Sequence, residues 1–219
     1  HPAGWPFIAL FFAAAVVLGF LWEPLFWLGL VVTLWCAYFF RDPHRVTPTD
    51  PALVVSPCDG VVAAVHERVP PPELELGTQP LPCVGIFMNI FDVHVNRTPV
   101  AGQVQTLAYH KGQFLNASLD KASDLNERQS FRIETAAGRQ VGIVQIAGLV
   151  ARRIKAFVEA GRVLLPGERI GLIRFGSRCD VYLPEGVVPC VLPGQRAVAG
   201  ETVIADLAGK QRKLEGRAD

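Results

Sequence analysis

Three short polar stretches interrupt an otherwise apolar sequence, and each carries residue types that can do chemistry. In residues 89–99 (NIFDVHVNRTP), Asp92, His94 and Asn96 alternate with Val93 and Val95, so a strand would set all three polar side chains on one face. A histidine flanked at i±2 by Asp and Asn can have its tautomer fixed and its pKa shifted, which suits general-base work. Residues 56–60 (SPCDG) hold the carboxylate of Asp59 in a tight turn. Asp and Gly favour turns for their own reasons, so a purely structural role stands beside a chemical one. Residues 174–178 (RFGSR) place Ser177 after Gly176, whose backbone reaches conformations closed to other residues; a β-bulge inside a sheet is the alternative.

These groups act only if the chain brings them together, and the sequence from Arg41 onward is built of short β-type runs cut by Gly and Pro. They cover residues 61–65, 84–91, 102–109, 131–134, 142–147, 169–175, 180–183, 187–192 and 201–205, a pattern of sandwiches and barrels. Residues 69–82 (VPPPELELGTQPLP) read as a surface loop, and residues 111–130 as a long polar stretch, functional or mobile. Two internal repeats are visible. Residues 56–62 (SPCDGVV) match residues 98–104 (TPVAGQV) as [ST]-P-x-x-G-x-V, and residues 165–169 (LPGER) match 192–196 (LPGQR). Such repeats resemble the half-motifs of biotinyl/lipoyl-type barrel-sandwich hybrids. The expected fold is therefore mainly β, two similar sheets around one core, preceded by an apolar α-helical hairpin.

That hairpin is read from the charge distribution. Of the 21 basic and 20 acidic residues, only Glu23 lies in the first 40 positions. Residues 5–22 and 25–40 are uncharged apolar runs separated by Glu23-Pro24, each slightly short for a helix crossing a ~30 Å hydrocarbon core. A soluble helix pair normally keeps a polar face, and a signal peptide has a basic start and a small-residue cleavage site, so a membrane-associated hairpin over residues 1–40 is favoured over both. It either spans or dips into one leaflet. Arg41 and Arg45 follow the second run, which by the positive-inside rule sets the domain of residues 41–219 on the cytoplasmic side of the cell membrane. The first residue is His1 and the sole methionine Met88, so the native start is expected upstream.

Composition excludes several classes. Half the residues are hydrophobic and 19% are charged, against roughly 25% in typical soluble domains, which rules out disorder. A formal net charge of +1 gives no reason to expect a nucleic-acid partner. Five cysteines, odd in number and without a C-x-x-C pair, suggest neither a disulfide framework nor a zinc site, and no metal is expected.

Taken in order, Phe40-Arg41-Asp42-Pro43, Ser56-Pro57-x-Asp59-Gly60, the 89–97 segment, Asn126-Glu127-Arg128 and Gly171-Leu172-Ile173-x-Phe175-Gly176-Ser177-Arg178 resemble the short bacterial and archaeal phosphatidylserine decarboxylases, from the hairpin to about Leu207. The resemblance implies a proenzyme that cuts itself at Gly176–Ser177 into a β chain of residues 1–176 and an α chain of residues 177–219, leaving a covalent pyruvoyl group from Ser177 as cofactor. It implies decarboxylation of phosphatidylserine to phosphatidylethanolamine through a Schiff base. It also implies an Asp-His-Ser set, mapped here onto Ser177 as nucleophile, His94 as base and Asp59 as the group that orients it. Some members carry D-Y-H-x-x-H where this chain has Arg97 at the second histidine, so His94 either serves both self-cleavage and turnover or the two steps divide differently. Arg152, Arg153 and Lys155, with Arg174 and Arg178 beside the expected cut, are candidates to hold the lipid phosphate or carboxylate, a solvated or headgroup-facing basic edge being the alternative. The implied partners are phosphatidylserine, the bilayer and the two chains of one proenzyme, with a homo-oligomer left open.

Two other readings remain at this level. A membrane-anchored adaptor with a lipoyl-like barrel explains the hairpin and repeats without chemistry, and predicts one intact chain. A serine hydrolase would normally show a G-x-S-x-G turn, whereas the residues around Ser177 read F-G-S-R-C.

Overall fold

The computed structural model describes residues 1–114, 125–148, 153–174 and 177–209. It divides into two compact units, residues 1–44 with 91–93, and residues 45–90 with 94–219.

The first unit is built on two apolar helices, α1 (Trp5–Gly19) and α2 (Glu23–Phe39), preceded by a 3-10 turn at Pro2–Gly4. Pro6 and Pro24 sit at the helix starts, where a missing N–H costs nothing. The helices approach closely because small residues meet: a Cβ on Gly29 would lie 2.5 Å from the Cβ of Ala15. Their outward sides are apolar, with Leu10, Val17, Phe20, Leu21 and Trp22 all exposed. An exposed surface of this kind belongs against lipid or another apolar surface. The segment Pro2–Gly19 is long and apolar enough to cross a membrane, α2 is shorter, and the pair supports membrane association. At the exit of α2, Arg41 donates to the carbonyls of Tyr38 and Phe91 and lies 3.8 Å over the Tyr38 ring.

The second unit is mainly β, as expected. Its strands are β1 (Leu53–Val55), β2 (Gly60–Arg68), β3 (Leu81–Met88), β4 (Val95–Arg97), β5 (Gly102–His110), β6 (Arg128–Glu134), β7 (Gln140–Ala147), β8 (Ile154–Ala156), β9 (Val163–Leu164), β10 (Arg169–Ile173), β11 (Ser177–Tyr182), β12 (Arg196–Ala197) and β13 (Val203–Asp206). Among the described residues they form a large sheet in the order β12-β2-β3-β11-β7-β6-β5-β9, a three-stranded sheet β4-β10-β8, and the pair β1-β13. Val62, Ile86, Met88, Val104, Phe131, Ile143 and Ile173 fill one continuous core.

The first sequence repeat is a structural repeat. Gly60 and Gly102 open β2 and β5, and a Cβ at either would fall 2.2 or 2.3 Å from a carbonyl oxygen of the neighbouring strand. Ser56 and Thr98 each donate to the carbonyl two residues on, at 2.6 and 2.8 Å, and each strand bulges after its third residue. The second repeat is not equivalent in space. The Gly167 amide donates to the Thr98 carbonyl, and the matching bond to Ser56 comes from Gly200, not Gly194. Both Gly167 and Gly200 have φ near +75°, where glycine is favoured, so the structural counterpart of residues 165–169 lies at 198–202.

Two other expectations change. Residues 187–192 form no strand beyond a single Pro189–Ala205 bridge, because Pro184, Pro189 and Pro193 remove ladder donors. The 69–82 segment is a loop that packs as part of the fold. Its Leu74 is fully buried with Cys83, Val144, Ile146 and Tyr182 on the outer face of the large sheet, and Glu73 and Glu75 pair with Arg128 and Arg132.

Candidate active site

Ser177 is the first residue of β11, a strand paired on both sides: it faces Met88 of β3 and Ala147 of β7. It is fully buried, on the face shared with Met88, Ala147 and Cys179, all members of the main core. Its hydroxyl donates to the Met88 sulfur at 3.6 Å. Gly176, on the other side of the expected cut, and Arg152 lie outside the described residues.

The opposite wall of this interior is the β4-β10-β8 sheet. Val95 and Asn96 pair with Leu172 and Gly171, and the Ile173 amide donates to the His94 carbonyl at 3.2 Å. His94, fully buried, thus stands one residue before β4, opposite the end of the strand that runs into the 174–178 segment. Alternation puts His94 and Asn96 on the same face. Asn96 faces inward: its Oδ1 accepts from Gln145 Nε2 of β7 at 2.6 Å, and its Nδ2 donates to the same Met88 sulfur that Ser177 uses, at 3.5 Å.

Asp59 lies in the turn before β2, and that turn is tied to β4 by the Arg97 amide, which donates to the Pro57 carbonyl at 2.8 Å. The Asp59 carboxylate accepts from Arg45 at both oxygens, 2.8 Å each, and from the Ala199 amide at 2.8 Å. Arg45, read in the sequence only for its charge, is therefore its ion-pair partner. The three motif residues 126–128 each have a job at this end of the barrel. Asn126 donates to the carbonyl of Ala147, Glu127 accepts the Ile154 amide, and Arg128 pairs with Glu73.

The basic residues separate. Arg178 points to the other face of β11, 1% exposed, and its Nε donates to Asp180 at 2.5 Å. Burial alone would weaken its hold on its proton, and the Asp180 carboxylate more than reverses this. Gly85 provides the space, since a Cβ there would sit 2.5 Å from the guanidinium. Arg153 and Lys155 are exposed at β8. The β8–β10 register continues one residue further, with the Arg174 amide donating to the Arg153 carbonyl at 3.3 Å, so two arginines stand opposite each other on adjacent strands. Burial first, and the Arg153 charge second, loosen the proton of Arg174. Like charges placed so are unfavourable unless an anion joins them. Beside them, burial and then the Glu127 carboxylate push the Tyr109 phenol up.

An apolar cleft of about 630 Å³, lined among others by Ala52, Ala137, Val163 and Leu165, opens where Gly102 of β5 nears Glu134 of β6. Ser177 belongs to the opposite end, by Ala147 and the Arg128 start of β6, so this cleft is no part of the site.

Sequence reasoning missed Gln145 and Met88. Their signal was weak: one polar residue inside the apolar run of β7, and the sole methionine.

A sequence profile described as phosphatidylserine decarboxylase matches residues 32–205. A phosphatidylserine decarboxylase proenzyme of Beijerinckia indica subsp. indica is 60% identical over 206 residues, covering 94% of this chain and 88% of the relative. One of Cereibacter sphaeroides is 55% identical over 218 residues, covering 100% and 94%. A match across most of the chain at this identity, on a mainly-β fold with the motif serine buried at the head of a central strand, has one reading: the chain belongs to the phosphatidylserine decarboxylase family of carboxy-lyases.

Proposed function

We propose that this chain cuts itself at Gly176–Ser177 and then decarboxylates phosphatidylserine to phosphatidylethanolamine with a pyruvoyl group formed from Ser177. The observation that carries the reading is the buried Ser177 hydroxyl at the head of β11, in an interior whose facing wall bears His94.

In the cut, Ser177 Oγ attacks the Gly176 carbonyl carbon and its proton passes by way of His94 to the departing amide nitrogen, so an ester replaces the amide. Loss of the Ser177 Cα proton then breaks the Cβ–Oγ bond and releases the Gly176 carboxylate. The unsaturated residue left behind tautomerises to an imine, and water displaces ammonia to leave the ketone. Asp59 orients His94 from a turn bonded to β4. A carboxylate offers about four lone-pair sites, and three are filled by Arg45 and Ala199.

The surroundings of residue 177 fit the new group, because its ladder partners Met88 and Ala147 are apolar, and Gln145 Oε1, buried without a hydrogen-bond partner among the described residues, is an acceptor for the N–H of the amine that condenses with the ketone. The pyruvoyl ketone supplies an electron sink for the substrate's amino-acid head. Of the chain's own groups, His94 holds the proton delivered to the substrate carbon as carbon dioxide leaves. Arg153, Arg174 and Lys155 hold the phosphate or carboxylate, with Arg152, the preceding residue in the sequence, a further candidate. The apolar helix pair keeps the unit at the bilayer, and Arg41 and Arg45 place it on the cytoplasmic side.

Intact-mass measurement of fresh protein tests this. The expected products are fragments 1–176 and 177–219, the second carrying a carbonyl that reacts with hydrazide. A Ser177→Ala chain that still splits or still decarboxylates overturns the reading. Arg174→Gln should leave splitting unchanged and raise KM about tenfold, the worth of one charge-assisted contact.

A further inference from the structure

We infer that the amides of Gln145 and Asn96 form a positioning device for the Ser177 hydroxyl, acting through the sulfur of Met88; this rests on the reading of Ser177 as the self-cleaving nucleophile.

The device is a chain of contacts inside an apolar core. Gln145 Nε2 donates to Asn96 Oδ1 at 2.6 Å, Asn96 Nδ2 donates to Met88 Sδ at 3.5 Å, and Ser177 Oγ donates to that sulfur at 3.6 Å. All four residues are fully buried. Amides in such surroundings are costly unless paired, and this pair is incompletely served, since Gln145 Oε1 has no partner among the described residues. Burying two amides where Val or Leu would pack better needs a reason other than stability.

The backbone is arranged to admit them. Gly171 of β10, the first residue of the G-L-I motif, pairs with Asn96, and a Cβ there would stand 2.9 Å from Gln145 Nε2 and 3.1 Å from Oε1. That glycine is therefore the recess for the Gln145 amide. The three links join four strands across the two walls: β7 supplies Gln145, β4 Asn96, β3 Met88 and β11 Ser177.

The consequence for the reaction is geometric. A serine side chain has three staggered rotamers, and only one that aims Oγ at the preceding carbonyl carbon leads to the ester. Sulfur is a weak acceptor, so it holds the hydroxyl in place yet releases the proton to His94 without loss of a strong bond. The amide pair fixes the otherwise flexible methionine that does the holding. Displacements of an ångström at a reacting group cost up to about a hundredfold in rate.

The test follows the self-cleavage of full-length chain in detergent by intact mass against time. Gln145→Leu and Asn96→Leu should each slow splitting at least about tenfold. Exchanging the two amides, Asn96→Gln with Gln145→Asn, should restore it to within about threefold. Met88→Leu keeps the volume and removes the sulfur, and should also slow splitting; it decides the matter should an amide variant fail to fold. Hydroxylamine cleaves an ester once formed, so it should not accelerate the slow variants. Parental splitting by Met88→Leu and either amide variant, or full rescue by hydroxylamine, overturns the inference. Splitting by Ser177→Ala would instead strike the nucleophile assignment beneath it.

Discussion

Ser177 and Arg178 are adjacent in the chain and opposite in surroundings. The inner face of β11 carries a hydroxyl held by sulfur beside an amide oxygen with no partner among the described residues. The outer face carries a guanidinium paired with Asp180, seated in the recess left by Gly85 and roofed by the loop that buries Leu74 beside Tyr182. One strand thus has a weakly bonded side and a strongly bonded side. Chemistry at residue 177 requires loose bonds that can be exchanged. The proposed cut immediately before residue 177 requires firm ones to keep the new end in register, and those begin at the next residue.

This division gives its largest test at the ion pair. Arg178→Met should destabilise the protein by about 3–5 kcal/mol, because it leaves the Asp180 carboxylate buried and uncompensated. The paired change Arg178→Met with Asp180→Leu should recover most of that loss, since apolar groups of similar volume commonly replace buried ion pairs at little cost. Thermal unfolding in detergent measures both. An unchanged midpoint for Arg178→Met would erase the contrast between the two faces.

A smaller effect is expected from Gly85→Ala. The new methyl would meet the guanidinium at 2.5 Å and push it from Asp180, at a cost of about 1–3 kcal/mol. The same change should leave the rate of self-cleavage within about twofold, because Gly85 faces Asp180 across the ladder and not Ser177. Slow cleavage with full stability would reverse the assignment of the faces.

The proposed cut provides the next measure. A split protein unfolds into two chains, so its stability should fall by about 1.4 kcal/mol per tenfold dilution, which lowers the melting point by roughly 3–6 °C for a protein of this size. The uncut Ser177→Ala chain should show no such dependence. The cut form should melt below the uncut one and approach it as concentration rises, because β11 is bonded along its length to β3 and β7 whether or not residue 176 is attached. A cut form that loses its short chain on native gel filtration would show that the outer face does not hold the new end.

Much of this was legible in the residues. The [ST]-P-x-x-G-x-V pair marked the starts of β2 and β5, because that signal is local and governed by backbone geometry, whereas the expected alternation of Asp92, His94 and Asn96 is cut short: β4 begins only at Val95, and Asp92 belongs to the first unit. The misassigned LPG pair shows the limit: two identical tripeptides, each with a positive-φ glycine, sit in different places, and the true counterparts share the hydrogen bond to Thr98 or Ser56, not a spelling. Strands β8, β9 and β12, of two or three residues, have too few positions for a period to show. Arg178 looked like a ligand because a basic residue beside the cut is ambiguous until the strand's alternation says which face it takes. Gln145 was hidden because a single polar residue in an apolar run carries no information about what lies across the core.

The smallest predicted effect concerns the cover of the outer face. Glu73 precedes Leu74, pairs with Arg128 at 2.5 Å and accepts from Ser130 at 3.3 Å. Burial is the largest single influence on its carboxyl and pushes it up. The bond to Arg128, a backbone bond, the Arg128 charge and Ser130 together outweigh it and hold Glu73 below the usual carboxylate range. A group held lower in the folded than in the unfolded chain contributes its full stability above the unfolded value, and loses it as pH falls through the folded one. Glu73→Gln should therefore cost about 0.5–1 kcal/mol at pH 7. The gap between parent and variant should close as pH drops below about 4, and the variant should be the less acid-sensitive of the two. Melting curves at pH 7, 5 and 3.5 measure the gap. A gap that stays constant with pH would mean that Glu73 holds the loop by shape alone, and that the outer face owes its firmness to Leu74 and the Arg178–Asp180 pair.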